Sequence, residues 1–321
     1  MRQRNGWRRM AIVNIACSLT RPNHLYCPTT VPHLSASPSP GGNHIDLDFL
    51  RTWIGRSTIT EDLLSARHAH LMAATLGLPQ DQFKEGSPLP ALWHWLYFLE
   101  ALPAHELGRD GHPARGGFLP PVPLANRMWA GGRLEFHAPQ ALGATVKKRS
   151  TVTAVDLKRG RSGDLVFVTV RHELFAAHEL LLTEDHDIVY KQPAAPGVRR
   201  PQETDLPASS HSESFEATST LLFRYSALTF NGHRIHYDVD YCREVEGYAN
   251  LVIHGPLQAT LLAGLASRLG KQPLRTFRYR GLQPALLGTP LTLNAAPSEH
   301  GMTLWTSLPD GAACMRAEAT F

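Results

Sequence analysis

The chain has 321 residues, 43% hydrophobic and 19% charged, enough apolar material for one large domain or two moderate ones. Much of its formal net charge of +4 sits in the first 45 residues, which carry five arginines and no acid before Asp46. The body is therefore near neutral, and charge gives a nucleic-acid partner no support. Four cysteines (Cys17, Cys27, Cys242, Cys314) lack CxxC spacing, which argues for a reducing compartment and against a disulfide framework or zinc site; no apolar run is long enough to span a membrane.

In chain order, residues 1–45 have the composition of a mitochondrial transit peptide or of an unstructured extension. The body starts at DLDFLRTWIGRSTITEDLLSARHAHLMAATLGLP, where Ser57 or Thr58 is expected to cap a helix carrying Leu63, Leu64, His68 and Leu71 on one face. LWHWLYFLEAL, from 92 to 102, is too short to assign. The runs GGRLEFHA, TVKKRSTVTAVDLK, DLVFVTVRHELF and EDHDIVYK then read as strands, broken by the turn KRGRSGD. These elements make residues 46–191 an N-terminal half.

Residues 192–214, rich in proline, serine and charge, read as a linker or a long crossing loop before a C-terminal half at 215–321. There LLFRYSAL and NLVIHG are expected as strands. Pro256 suits the first turn of a helix that stops at Gly270, and RTFRYRGL, TPLTLNAA, MTLWTSL and AACMRAEATF read as further strands. FHAPQALG at Phe136 and YRGLQPALLG at Tyr279 echo one another across the halves. The pattern predicts an α+β chain of two similar antiparallel sheets, each against a long helix.

Between two apolar runs, FNGHRIHYD (230–238) concentrates hydrogen-bonding and titratable groups. A metal site built on His233, His236, Asp238 and His254 is not expected, because residues three apart on a strand face opposite sides. Neither a glycine-rich phosphate loop in this stretch nor a GxSxG elbow anywhere is found, which argues against nucleotide and serine hydrolases.

The stretch YSALTFNGHRIHYD followed by HGPL resembles the MaoC-type hydratases of the hotdog superfamily. Tyr225, Leu228, Thr229, Ile235, His236 and Asp238 match their motif. Phe230 stands where that family has glycine, Asn231 where it has its catalytic aspartate, and His233-Arg234 where it has Asn-Pro. With RGGFLPPVPL and RMWAGGR, the stretch resembles the mesaconyl-CoA (3-methylfumaryl-CoA) hydratase branch, whose N-terminal domain is dehydratase-like.

The resemblance implies a double hotdog with the motif in the C-terminal half. It also implies reversible hydration of an enoyl-CoA, mesaconyl-C4-CoA being the favoured substrate and a 3-hydroxyacyl-CoA such as citramalyl-CoA the product. For that chemistry His236 is the expected general base and Asn231 the residue that positions water. Gly255, at the helix start, would offer its N–H to the thioester oxygen. His254 would line the substrate, Asp238 would fix the imidazole tautomer, and Arg234 or Arg127 would meet a free substrate carboxylate.

No cofactor is expected, the CoA thioester being the substrate, and the expected partners include neither nucleic acid nor membrane. A monomer of two hotdogs or a homodimer, in the cytoplasm or (if the N-terminus is a transit peptide) the mitochondrial matrix, completes the reading. The alternatives are a 3-hydroxyacyl-thioester dehydratase of fatty-acid synthesis, a non-catalytic acyl-binding protein, and, less well matched, a hotdog thioesterase.

Overall fold

The computed structural model describes residues 44–160, 163–192 and 205–321. The expectations for the N-terminal extension up to residue 43, for the tip of the KRGRSGD turn and for linker residues 193–204 lie outside the described residues.

The body opens with a one-turn helix, α1 (Leu47–Arg51), whose N-cap Asp46 accepts from Phe49 N–H. Ser57–Leu63, expected within a helix, is instead strand β1. Its β-branched run Thr58-Ile59-Thr60 suits a pleated edge, and it pairs with Thr145–Thr151. The helix begins later, as α2 (Ala66–Leu76), because Ser65 supplies the cap and Gly77, in the left-handed region, the stop. Leu63 and Leu71, expected in the core, are exposed.

The N-terminal half continues with β2 (Asn126–Phe136), β3 (Thr145–Gly160), β4 (Gly163–Ala176) and β5 (Glu179–Lys191). Within the stretch read as linker, His211–Phe215 is already strand β6. LLFRYSAL, expected as a strand, is helix α3 (Ser219–Leu228). It has no β-branched residue, Thr218 caps it, and Leu222, Tyr225 and Ser226 bury one face at helical spacing. After α4 (Val239–Tyr241), NLVIHG, expected as a strand, is extended but belongs to no strand; an isolated bridge joins its Val252 to Leu286. The expected long helix is α5 (Gly255–Gly270), with Lys271 in the left-handed C-cap position. β7 (Thr276–Gly281), β8 (Leu291–Ser298), β9 (Gly301–Ser307) and β10 (Ala313–Thr320) follow.

All strands join one antiparallel sheet in the order β1-β3-β4-β5-β2-β7-β10-β9-β8-β6. Replacing each N-terminal strand by its successor five places on turns the first half of that order into the second, read outward from the centre. The chain is thus an internal duplication, two hotdog halves meeting at β2 and β7. The paired echo has a structural counterpart: Gly143 and Gly288 take nearly equal positive φ, 87° and 89°, just before β3 and β8.

Glycine makes the seam possible. A side chain at Gly131 would meet the Tyr279 carbonyl, and one at Gly132 the Tyr279 ring. The main core lies against α5, where Leu257, Leu262 and Leu265 are fully buried, each stabilising the fold by roughly 1.5–3 kcal/mol. α2, α3 and residues from both halves of the sheet join that same cluster. The start of α5 is thereby held firmly beside the loop that follows α3.

Candidate active site

FNGHRIHYD is a turn, not a strand. Asn231 Oδ1 accepts from His233 N–H at 3.0 Å, and Arg234–His236 form a single 3-10 turn. Phe230, where the resembling family has glycine, sits at φ 48°, a left-handed conformation that suits glycine better. Its ring is 58% exposed and stands on the wall of a cavity of ≈ 1540 Å³.

His236 is 6% exposed and faces that cavity. Its Nδ1 lies 2.7 Å from the Val252 carbonyl, an acceptor, so Nδ1 carries the proton and Nε2 keeps a free lone pair. Burial, then the neighbouring His233, push its pKa down to about 3, so the imidazole is neutral at physiological pH. The backbone carbonyl, and not the expected Asp238, therefore sets the tautomer. Asp238 faces away: it caps α4 by accepting from Tyr241 N–H and accepts from Arg234 Nη2 at 2.7 Å.

Arg234 is accordingly not at the site. Its guanidinium is held by Asp238, donates to the Arg109 carbonyl and lies 4.2 Å over the Tyr241 ring, off the cavity wall. In a turn, residues four apart come together, so Arg234 and Asp238 pair with each other. His254 is also displaced from its expected role. Fully buried, it stacks on His236 at 3.6 Å and 18°, with Nε2 2.8 Å from Ser226 Oγ. It packs behind the imidazole and is not on the cavity wall.

Asn231 and Gly255 do line the cavity. One lone pair of the Asn231 oxygen is used by His233, while its Nδ2 has no partner among the described residues. The amide NH₂ is thus the group of Asn231 free to position water. Gly255 is the first residue of α5, and its N–H is one of the donors a helix start leaves unpaired. A methyl group built there would approach only Met315, at 3.9 Å, so the space belongs to the cavity.

The structure brings in residues that the sequence reading missed. The loop 108–113 of the N-terminal half docks on the turn at 230–238: Arg234 N–H donates to the Asp110 carbonyl at 2.9 Å, and Gly111 packs on Gly232 so closely that neither tolerates a side chain. This sets Asp110 3.4 Å from His112 Nδ1 and the His112 ring 4.4 Å from His233. Asp110, His112 and His233 each offer a ligand atom within 4.8 Å of one another, and only His233 of these comes from the turn; His236, Asp238 and His254 stay outside the group.

A cation there would compete with Arg127, whose guanidinium is 4.0 Å from Asp110. Burial raises the pKa of Asp110, but His112 and Arg127 outweigh it and hold the carboxylate well below its ordinary range. Arg127 is 10% exposed and lines the cavity. Its Nε is buried next to the Tyr190 hydroxyl, and neither atom has a partner at hydrogen-bond distance among the described residues. The sequence offers no spacing signal for Asp110 or His112, because tertiary docking alone unites them with the motif.

The antiparallel duplicated sheet is a double hotdog, and its cavity holds a buried neutral histidine beside an open helix start. The model of the hydroxyacyl-thioester dehydratase type 2 family matches residues 92–287, and the chain belongs to that family. It is 42% identical to a Mesaconyl-C(4)-CoA hydratase of Chloroflexus aurantiacus over 83% of this chain and 95% of the relative. It is 29% identical to a mitochondrial hydroxyacyl-thioester dehydratase type 2 of Schizosaccharomyces pombe, over 77% of this chain and 91% of the relative. Among solved structures, a MaoC-like dehydratase from Phytophthora capsici superposes with a TM-score of 0.63 at 12% identity, covering 86% of this chain and 97% of that one, a likeness of fold.

Proposed function

We propose that the chain reversibly hydrates a short α,β-unsaturated acyl-CoA bearing a carboxylate, with mesaconyl-C4-CoA as substrate and citramalyl-CoA as product. The observation that carries the chemistry is the neutral His236, its Nδ1–H given to Val252 and its Nε2 facing the cavity beside the start of α5. The substrate name is supported by the 42% identity to the Chloroflexus aurantiacus hydratase.

In the hydration direction Asn231 Nδ2 donates to the oxygen of the attacking water, and His236 Nε2 takes one of the water protons. The water oxygen bonds to the β-carbon, and the π electrons pass to the thioester oxygen, where Gly255 N–H and the helix dipole stabilise the charge. The imidazolium then returns its proton to the α-carbon, closing the cycle without a cofactor. The substrate carboxylate is held by Arg127, close to the His112–His233–His236 row, in place of the expected Arg234.

Two halves in one chain supply the pairing that single hotdogs obtain by dimerising, so we propose a monomer of two hotdogs; a dimer of such chains is the second reading. Cytoplasm is the proposed compartment. The arginine-rich N-terminus and the mitochondrial name of the yeast relative favour the matrix as the second reading.

The test is the absorbance loss of the enoyl-thioester with mesaconyl-C4-CoA, crotonyl-CoA and a long-chain trans-2-enoyl-CoA. Rapid loss with the first and little with the others supports the proposal. Preference for the long chain would assign the protein to fatty-acid synthesis instead, and no turnover by folded protein would leave an acyl-binding protein.

A further inference from the structure

Three groups where the two halves meet have no task in the proposed chemistry: Asp110, His112 and His233. They are brought together where the loop 108–113 docks on the turn at 230–238. Their ligand atoms lie within 4.8 Å of one another. His112 and His233 belong to the cavity wall, and Asp110 does not.

Local bonding leaves these donors uncommitted. His233 is 8% exposed, yet neither of its ring nitrogens has a hydrogen-bond partner among the described residues. Its ring lies beside two other imidazoles, His112 at 4.4 Å and His236 at 5.5 Å. A polar side chain buried to that extent normally has a partner. Asp110 Oδ1 accepts from His112 N–H at 3.1 Å, but Oδ2 stands 3.4 Å from His112 Nδ1, long for a charge-assisted hydrogen bond. A tetrahedral zinc ion holds nitrogen and oxygen ligands at about 2.0–2.2 Å, which puts the ligand atoms about 3.3–3.5 Å apart. The carboxylate and the imidazole already stand at that spacing. His233 has only to close from at most 4.8 Å to about 3.3 Å.

Arg127 is the neighbour that opposes a cation. Its Nη2 is 4.0 Å from Asp110 Oδ2 but donates to the Pro113 carbonyl at 3.2 Å, so the guanidinium is bonded to backbone and not to this carboxylate. Two imidazoles with one carboxylate suit zinc and its transition-metal neighbours, whereas calcium and magnesium take oxygen ligands.

We infer that Asp110, His112 and His233 form a site for one divalent transition-metal ion of the zinc class, which clasps the N-terminal loop to the turn and leaves a fourth coordination position on the cavity side. That position lies beside Arg127, where the proposed function puts the substrate carboxylate. The ion draws the carboxylate to itself and shifts the β-carbon away from His236, so it inhibits hydration. Inhibition rests on the proposed function; binding does not.

The experiment is calorimetry of zinc chloride into the chelator-treated 321-residue chain, with Co²⁺ as a spectroscopic stand-in. One ion per chain with a Kd of about 10 μM or tighter is expected. Cobalt should give visible d–d bands without the thiolate charge-transfer band that a cysteine ligand would add. Asp110→Asn and His112→Gln each weaken binding by at least about tenfold, while His105→Gln, at a histidine 82% exposed, leaves it unchanged. Arg127→Met tightens binding by at least about threefold, because a like charge beside the ion is gone. His112 is a partly exposed loop residue, so its variant reads the site even if changes at buried His233 prevent folding. No uptake overturns the inference, and so does uptake that His112→Gln leaves intact, which marks adventitious binding elsewhere. Zinc should lower kcat on mesaconyl-C4-CoA by about tenfold or more, on crotonyl-CoA by less, and a chelator should restore both. Equal rates with and without bound zinc overturn the inhibitory role. If no thioester is turned over, the hydratase reading fails and the calorimetry still decides the site.

Discussion

For the proposed base role His236 has a fixed tautomer, a free Nε2 and an imidazole that burial keeps neutral at physiological pH. His236→Ala is expected to lower kcat by about 10²–10⁴-fold with a small change in KM, measured by steady-state hydration. Because the reactive form is already neutral, the hydration rate of the wild type should stay flat as pH falls from 8 toward 5, with no inflection near 6.5. Gly255→Ala separates fold from chemistry. The added methyl meets no protein atom closer than 3.9 Å, so thermal stability should hold, while kcat/KM falls by about tenfold or more as the methyl occupies the thioester's place. Arg127→Met should reduce turnover of the carboxylate-bearing substrate far more than that of crotonyl-CoA. Equal loss on both would remove Arg127 from substrate recognition. The spacing of the motif was enough to nominate His236, Asn231 and Gly255. An extended segment would put Asp238 on the side of His236, whereas the tight turn makes Asp238 the partner of Arg234 and takes both from the cavity.

The elements divide by how local their signals are. Apart from β1 and β6, the strands of both halves are legible from short apolar runs between turn signals, and α5 from its proline start. STITEDL folds as a strand and LLFRYSAL as a helix, against the opposite expectations, because the first carries a β-branched run and the second has no β-branched residue. The loop 108–113 was invisible: its partner, the catalytic turn, is more than a hundred residues away in sequence. That docking is the element-scale feature with the sharpest test. Gly111 has φ 85° and abuts the Gly232 carbonyl, so Gly111→Ala pays both for a left-handed conformation and for a collision. A loss of about 1–3 kcal/mol in denaturant unfolding is expected, together with a larger fall in kcat than stability alone accounts for, since Gly232, next to Asn231, and Arg234 N–H make that contact. Unchanged kcat would mean that the N-terminal loop does not organise the turn.

At the scale of the whole molecule, the site makes the fold sensitive to acid. His233, His236 and His254 are 8%, 6% and 0% exposed, and their burial holds each pKa far below the ordinary value of 6.5. In the unfolded chain each of the three titrates near 6.5, so below that pH the unfolded state binds protons that the folded state refuses. Stability contributed by these groups is therefore complete above about pH 7 and is lost as pH falls below 6.5, at about 1.4 kcal/mol per pH unit for each histidine. By pH 5 the sum is several kcal/mol, comparable with the roughly 5–15 kcal/mol that separates most folded domains from unfolding. Glu184 acts at lower pH: burial raises its pKa, but His94 and the neighbouring histidines pull it down to about 2, so its protonation begins only after the histidines have acted. Urea unfolding at pH 7, 6 and 5 should thus give a midpoint that drops steeply over this range, before Glu184 is neutralised. A midpoint that is constant from pH 7 to 5 would mean that the stacked His236–His254 pair is reached by water and protonates in the folded state, and the neutral base on which the proposed chemistry depends would be lost with it.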